Sequence, residues 1–148
     1  MTTEEDRVNH VKILFEVENE DGNVEIESVW AEPVKYGYQI DNIPFYAKEV
    51  AYNDIVSAEP DEDGMLRFTG LVRASGHSTI RLWFANESDV TSVRDTLRSM
   101  GCSSELDLSR LVAVDIPPSI PYDRIRTYLD QQESAGIFEY EEACLGQE

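Results

Sequence analysis

Basic residues are scarce in this 148-residue chain. Twelve Lys and Arg stand against thirty Asp and Glu, a formal net charge of −18. That balance argues against direct binding to nucleic acid, because phosphate neutralisation by Lys and Arg drives such affinity. It disfavours docking on an anionic membrane for the same reason. No apolar run approaches the roughly 20 residues of a membrane span. The acidic start, Met1-Thr2-Thr3-Glu4-Glu5-Asp6, lacks the basic-then-apolar pattern of a secretion signal, so the expected compartment is the cytoplasm. Cysteine is nearly missing. Cys102 and Cys144 have no CxxC spacing and no adjacent His, and read as free buried thiols rather than a disulfide or a zinc site. There is no Gly-rich phosphate loop, no internal repeat and no Gly/Pro/Ser linker. No cofactor and no metal is expected.

What is present suits a folded core: 41% hydrophobic residues, 9% of all residues aromatic. The first half reads as short strands and turns. Val11, Ile13, Phe15 and Val17 alternate with charged neighbours, Asp21-Gly22-Asn23 marks a tight turn, and Val24, Ile26 and Val29-Trp30 return until Pro33. Lys35–Ile40 is a third strand, Asp41–Pro44 a turn and Asp54–Ala58 a fourth strand. Glu59–Gly64 is a second hairpin signal, answered by Met65–Arg73. Such spacing predicts a small antiparallel barrel-like sheet over residues 1–75.

The pattern changes after Ala74-Ser75-Gly76-His77. Ser78–Phe84 reads as a strand. Val90, Val93, Leu97 and Met100 form one apolar helix stripe, which Gly101 stops. Cys102–Leu106 is the weakest strand candidate; Leu111–Ile116 is a buried strand stopped by Pro117-Pro118. A second helix follows Ser119 and Pro121 with Ile125, Tyr128, Leu129 and Gln132 on one side. Gly136 ends it before a strand from Ile137 to about Cys144. Residues 76–148 thus predict a ferredoxin-like β-α-β-β-α-β half, and the whole chain an α+β protein with its two lobes packed together.

Several segments taken together carry a resemblance: Val29–Pro33, Asp41-Asn42-Ile43-Pro44-Phe45, Ala58–Phe68, Ser75–Arg81, Ala113-Val114-Asp115-Ile116-Pro117-Pro118 and Phe138–Ala143. Across most of residues 11–145 the chain resembles an uncharacterised bacterial family of small acidic proteins known only as a domain of unknown function. The resemblance implies a bacterial source and carries over no catalytic or binding residue. A looser analogy links small acidic bacterial proteins of this kind to immunity proteins, which neutralise a toxin.

Two features suggest function. Glu16, Glu18, Glu25 and Glu27 would align on a single sheet face if their two strands pair, and four carboxylates at sheet spacing repel one another unless a basic partner meets them. With aromatic anchors at Trp30 and Tyr36, in a concentration that includes Tyr38, Phe45 and Tyr46, they predict a docking surface for a cationic protein such as a cognate toxin. The second feature is Arg73-Ala74-Ser75-Gly76-His77-Ser78-Thr79-Ile80-Arg81. His77 could act as general acid or base and Ser75 as nucleophile, with Arg73 and Arg81 holding a phosphate or carboxylate and Asp115 or Asp54 orienting the imidazole. The bland reading of that stretch is a connection whose His and Ser satisfy backbone groups. Asp61-Glu62-Asp63-Gly64 lacks the ligand pattern of a calcium loop. The oligomeric state is left open by the sequence.

Overall fold

The structure is a computed structural model that describes residues 9–146. The acidic start, residues 1–6, lies outside them. Alternating apolar side chains define β1 (Val11–Glu18) and β2 (Val24–Val34), turning Ile13, Phe15 and Val29 inward and their neighbours to solvent. The turn between them is held by Asn19, whose Oδ1 accepts the Asp21 and Asn23 amides at 3.0 Å each. Pro33 does not end β2. Pairing with β1 begins at Val11 opposite Ala31, so beyond that point one edge of β2 is bare and a missing N–H is tolerated.

β3 (Gly37–Ile40), β4 (Ile55–Pro60) and β5 (Leu66–Arg73) complete a closed barrel in the order β1-β2-β3-β4-β5. Each hairpin neighbour is antiparallel, as expected, but the closure is not. β1 meets β5 in parallel, Ile13 beside Leu66 and Leu14 beside Arg67. An up-and-down run of five strands brings its first and last strands together pointing the same way, so the seam has to be parallel. The β4–β5 turn is fastened by Asp61. Its Oδ1 accepts the Asp63 and Met65 amides at 2.8 and 3.0 Å, and its Oδ2 takes Arg67 Nε at 2.9 Å. The Arg67 hydrogen bond holds this carboxyl below its ordinary range.

The second half runs β6 (Ser78–Phe84), a 3₁₀ turn (Glu87–Asp89), α1 (Val90–Ser99), β7 (Ser103–Asp107), β8 (Leu111–Ile116), α2 (Tyr122–Ser134) and β9 (Phe138–Cys144). The weak candidate at 102–106 is therefore a strand, displaced by one residue. The sheet order is β7-β8-β6-β9, every neighbour antiparallel. Both helices end in the same way. Past α1, Cys102 N–H reaches Leu97 O at 2.9 Å and Gly101 N–H reaches Arg98 O at 3.0 Å; past α2, Ile137 and Gly136 repeat the pattern on Gln132 and Glu133. Only a left-handed residue permits this cap, and Gly101 and Gly136 supply it with φ of 97° and 77°.

There are two apolar cores. One lies inside the barrel around Ile13, Phe15, Val29, Ile40 and Val56. The other lies between one sheet face (Ile80, Leu82, Val112, Val114) and the helix stripes (Val93, Leu97, Ile125, Leu129). Each fully buried aliphatic side chain contributes about 1.5–3 kcal/mol. The opposite sheet face is also buried, and it mixes the polar Thr79, Arg81 and Asp115 with Leu111 and Ala113. The long connection 41–54 meets this face. Arg81 donates Nη1 to Phe45 O at 2.7 Å, Glu49 N–H reaches Ala143 O at 3.1 Å, and Tyr46 OH donates to Asp107 at 2.6 Å. The expected turn at Asp41–Pro44 is only the opening of that connection.

Candidate functional site

The register of β1 against β2 decides what the acidic residues can do. Glu16 lies opposite Ile26 and Glu18 opposite Val24, whereas Glu25 lies opposite Val17 and Glu27 opposite Phe15. Directly paired residues share a face and successive residues alternate. The four glutamates therefore split two and two, and a single face carrying all four does not exist. Outward with Glu16 and Glu18 stand Val24, Ile26 and Trp30, with Lys12 Nζ 5.0 Å from the Trp30 ring centroid. Val24 is 61% exposed and Ile26 48%. Arg67 Nη1 lies 3.4 Å from Glu16. Tyr36, 73% exposed, projects from the β2–β3 turn beside Lys35.

Glu27 has a different task. Its carboxylate accepts three consecutive backbone amides of the 41–54 connection: Phe45 at 2.7 Å, Tyr46 at 3.1 Å and Ala47 at 2.8 Å. A charged acceptor over a run of free N–H groups is an anion nest filled from within the chain. Glu25, exposed on the same strand, has only Asn19 Nδ2 at 3.4 Å among the described residues.

The second candidate lies where the barrel meets the sheet. Strand alternation sends Ile80 and Leu82 to the helices and Thr79 and Arg81 to the other face, where β8 places Asp115. His77, just before β6, sets Nδ1 2.8 Å from Asp115 Oδ1 and 3.1 Å from Oδ2. Burial raises the Asp115 carboxyl above its ordinary value, and the His77 hydrogen bond draws it partly back. With Asp115 ionised, Nδ1 carries the proton and Nε2 on the opposite side of the ring is left to act as acid, base or ligand contact. Tyr52 meets the imidazole edge-on at 5.4 Å, and its hydroxyl lies 3.4 Å from Asp41, which also holds His10 Nε2 at 2.8 Å. Burial, then Asp41, raises the Tyr52 hydroxyl.

Of the two orienting carboxylates expected from sequence, Asp115 takes the imidazole and Asp54 takes the serine. Asp54 Oδ1 accepts Ser75 N–H at 2.8 Å and lies 2.8 Å from Ser75 Oγ, while Oδ2 accepts Ala51 N–H at 3.0 Å. Ser75 Oγ also sits 2.7 Å from Tyr52 O and accepts His77 N–H at 3.2 Å. Ser75 thus bonds the backbone of His77, and no hydrogen bond joins Oγ to the ring. Arg81 gives Nη1 to Phe45 O and Nη2 to Glu141 at 3.0 Å, and its buried Nε makes no hydrogen bond among the described residues. Arg73 is exposed at the end of β5 and makes no ion pair among the described residues.

Two clefts flank His77. One, of about 290 Å³, is lined by Gln39, Asn53, Ile55, Arg73 and Ser75 among others. The other, of about 400 Å³, is lined by Glu49, Asp54, Leu71, Glu142 and Cys144 as well as His77. A larger hollow of about 750 Å³ between Trp83, Glu133 and Tyr140 lies apart from both. Among the described residues, no three His, Cys, Asp or Glu side chains gather as a metal ligand set. No helix among them is long and apolar enough to cross a membrane.

The model of a domain of unknown function, DUF4265, matches residues 27–140. This chain belongs to the DUF4265 family. The matched stretch contains the Asp54, Ser75, His77 and Asp115 cluster and begins at Glu27, after the tip of the β1–β2 hairpin. Among solved structures, the DUF4265 chain is similar to the crystal structure of a hypothetical protein from Neisseria gonorrhoeae. The TM-score is 0.81 at 27% identity, covering 93% of this chain and 96% of the other. Comparison with curated proteins gives no match.

Proposed function

We propose that this DUF4265 protein is a non-enzymatic binding protein whose acidic hairpin docks a basic protein, in the manner of an immunity protein occluding a cationic toxin. The carrying observation is the outer face of β1–β2. Exposed Ile26 and Val24 lie beside Glu16 and Glu18 on it, Glu20 and Asp21 crown the tip, and no Lys or Arg occurs from Ile13 to Val34, the nearest guanidinium being Arg67 of β5 at 3.4 Å from Glu16. Exposed apolar side chains next to charged ones are what protein interfaces draw on. The charge speeds encounter and the apolar residues slow departure. Trp30 extends the same face, and Tyr36 is an exposed anchor beside it. Glu27, committed to the connection 41–54, takes no part in docking.

Further readings accompany this one. The strand order β7-β8-β6-β9, with both helix stripes packed on one face, supports a ferredoxin-like second half. Two separate apolar clusters support a division into lobes near residue 75. Free thiols at Cys102 and Cys144 accord with a reducing cytoplasm.

The test uses a basic partner recovered from the source organism, with binding rates measured at several salt concentrations. Glu16→Lys with Glu18→Lys lowers the association rate by about tenfold or more and flattens its salt dependence. Val24→Ser with Ile26→Ser raises the dissociation rate. A partner that associates equally fast at low and high salt, or that ignores both double variants, overturns the proposal.

A further inference from the structure

Within a chain of net charge −18, the smaller cleft at His77 has no carboxylate in its lining. Its lining draws polar residues from four places instead: Gln39 of β3, Asn53 at the entry to β4, Arg73 at the end of β5 and His77 just before β6. None of the side-chain ends of Gln39, Asn53 and Arg73, and not His77 Nε2, has a hydrogen-bond or ion-pair partner among the described residues. The carboxylates close by are occupied, Asp115 by the imidazole and Asp54 by Ser75 and Ala51. Glu32 is on the same strand row, opposite Gln39, and lies outside the lining.

The local backbone is irregular in ways that aim these groups. Ile55 pairs with Arg73 but Val56 pairs with Leu71, so Val72 is an extra residue in β5. That bulge turns Arg73 onto the row of Ile55 and Gln39, where regular pairing would have put Val72. Asn53 holds φ at 67°, a left-handed conformation that Asn adopts more readily than most residues. His77 is locked by Asp115 on one side and by the edge of Tyr52 on another, with 14% of its side chain exposed.

The geometry points to a binding site for a small anionic metabolite, one carboxylate or phosphate group held between Arg73 and His77 with Gln39 and Asn53 contacting its neighbouring atoms. A guanidinium is the donor that recognises such oxygens through charge-assisted hydrogen bonds, and the His77 ring adds a contact at Nε2. At about 290 Å³ the cleft takes a head group and a few carbons, not a nucleotide. This site shares no residue with the hairpin face and does not depend on a protein partner.

The experiment titrates the full chain with sodium phosphate and, separately, sodium succinate, at constant pH and with ionic strength held by sodium chloride. NMR follows the His77 ring and the Arg73 Nε–H. Either anion should move both resonances to saturation in the millimolar range, and the tighter of the two assigns the head group as phosphate or carboxylate. Arg73→Gln should weaken binding about tenfold or more, and because Arg73 is exposed and unpaired its melting temperature should match that of the parent chain. The proposal is overturned if neither anion gives a saturable shift, if chloride alone reproduces it, or if Arg73→Gln binds as tightly as the parent.

Discussion

Glu27 and Glu25 stand two residues apart on one strand and face, and removing each to Ala separates charge from architecture. Glu27→Ala takes the acceptor from three amides at 2.7, 3.1 and 2.8 Å. Water can replace it at Tyr46, which is exposed. The amides of Phe45 and Ala47 are partly covered, and each loses a charge-assisted bond worth about 1.5 kcal/mol at the low end of its range. The sum is about 3 kcal/mol. For a chain of this size, a kilocalorie moves the melting temperature by about 2–4 °C, so the expected drop is about 6–12 °C. Glu25→Ala gives up one long contact to Asn19 in full solvent and should cost less than about 0.5 kcal/mol. Urea denaturation with a common slope, alongside calorimetry, measures both. Glu27→Gln keeps one acceptor oxygen and falls between. If Glu27→Ala and Glu25→Ala differ by less than about 1 kcal/mol, the connection 41–54 is not held in the way described.

Asp115 gives a pH test. Its carboxyl is raised by burial, so the folded state binds its proton more tightly than the unfolded chain does. Stability from this group is greatest in acid and declines as pH climbs from the ordinary carboxylate value near 4 through the raised value. Asp115→Asn should flatten the plot of urea midpoint against pH over that window, and an unchanged slope would contradict the assignment. Burial pushes both thiols up to about 11, leaving on the order of a hundredth of the ordinary thiolate at neutral pH. Mass spectrometry after iodoacetamide should find both cysteines slow in the native chain, Cys102 slower than Cys144, and both fast in urea. Native labelling of Cys144 at the unfolded rate would refute its burial.

Local chemistry made much of the fold legible. Alternation in β1, the 3.6-residue stripes of α1 and α2, and the glycines after both helices each specify their element without reference to the rest. Even the faint strand at 103–107 follows from its hairpin with β8. What local pattern does not carry is register and closure. Whether Glu16 and Glu25 share a face turns on a single residue of offset, and that offset was set by the Asn19 turn and by Phe15 needing the interior. The His77–Asp115 contact spans two elements that only the order β7-β8-β6-β9 makes neighbours. Asp115 was nameable as a candidate because a lone acid in an otherwise apolar strand demands a partner. Tyr52, Asp41 and His10 gave no such signal, the first two being ordinary polar residues in a connection whose path is fixed by tertiary contacts and the third lying just ahead of β1. The bulge at Val72 was equally silent.

Closing the barrel leaves its strands little bare edge, so strand-to-strand growth of this molecule falls chiefly to the borders of the other sheet, β7 and β9. Those borders carry Glu105 and Asp107 on one and Glu139, Glu141 and Glu142 on the other. Two copies meeting border to border would bring like charges into register, and the encounter would be repelled before any backbone bond could form. Part of the surplus acid thereby guards the sheet borders against edge-to-edge growth.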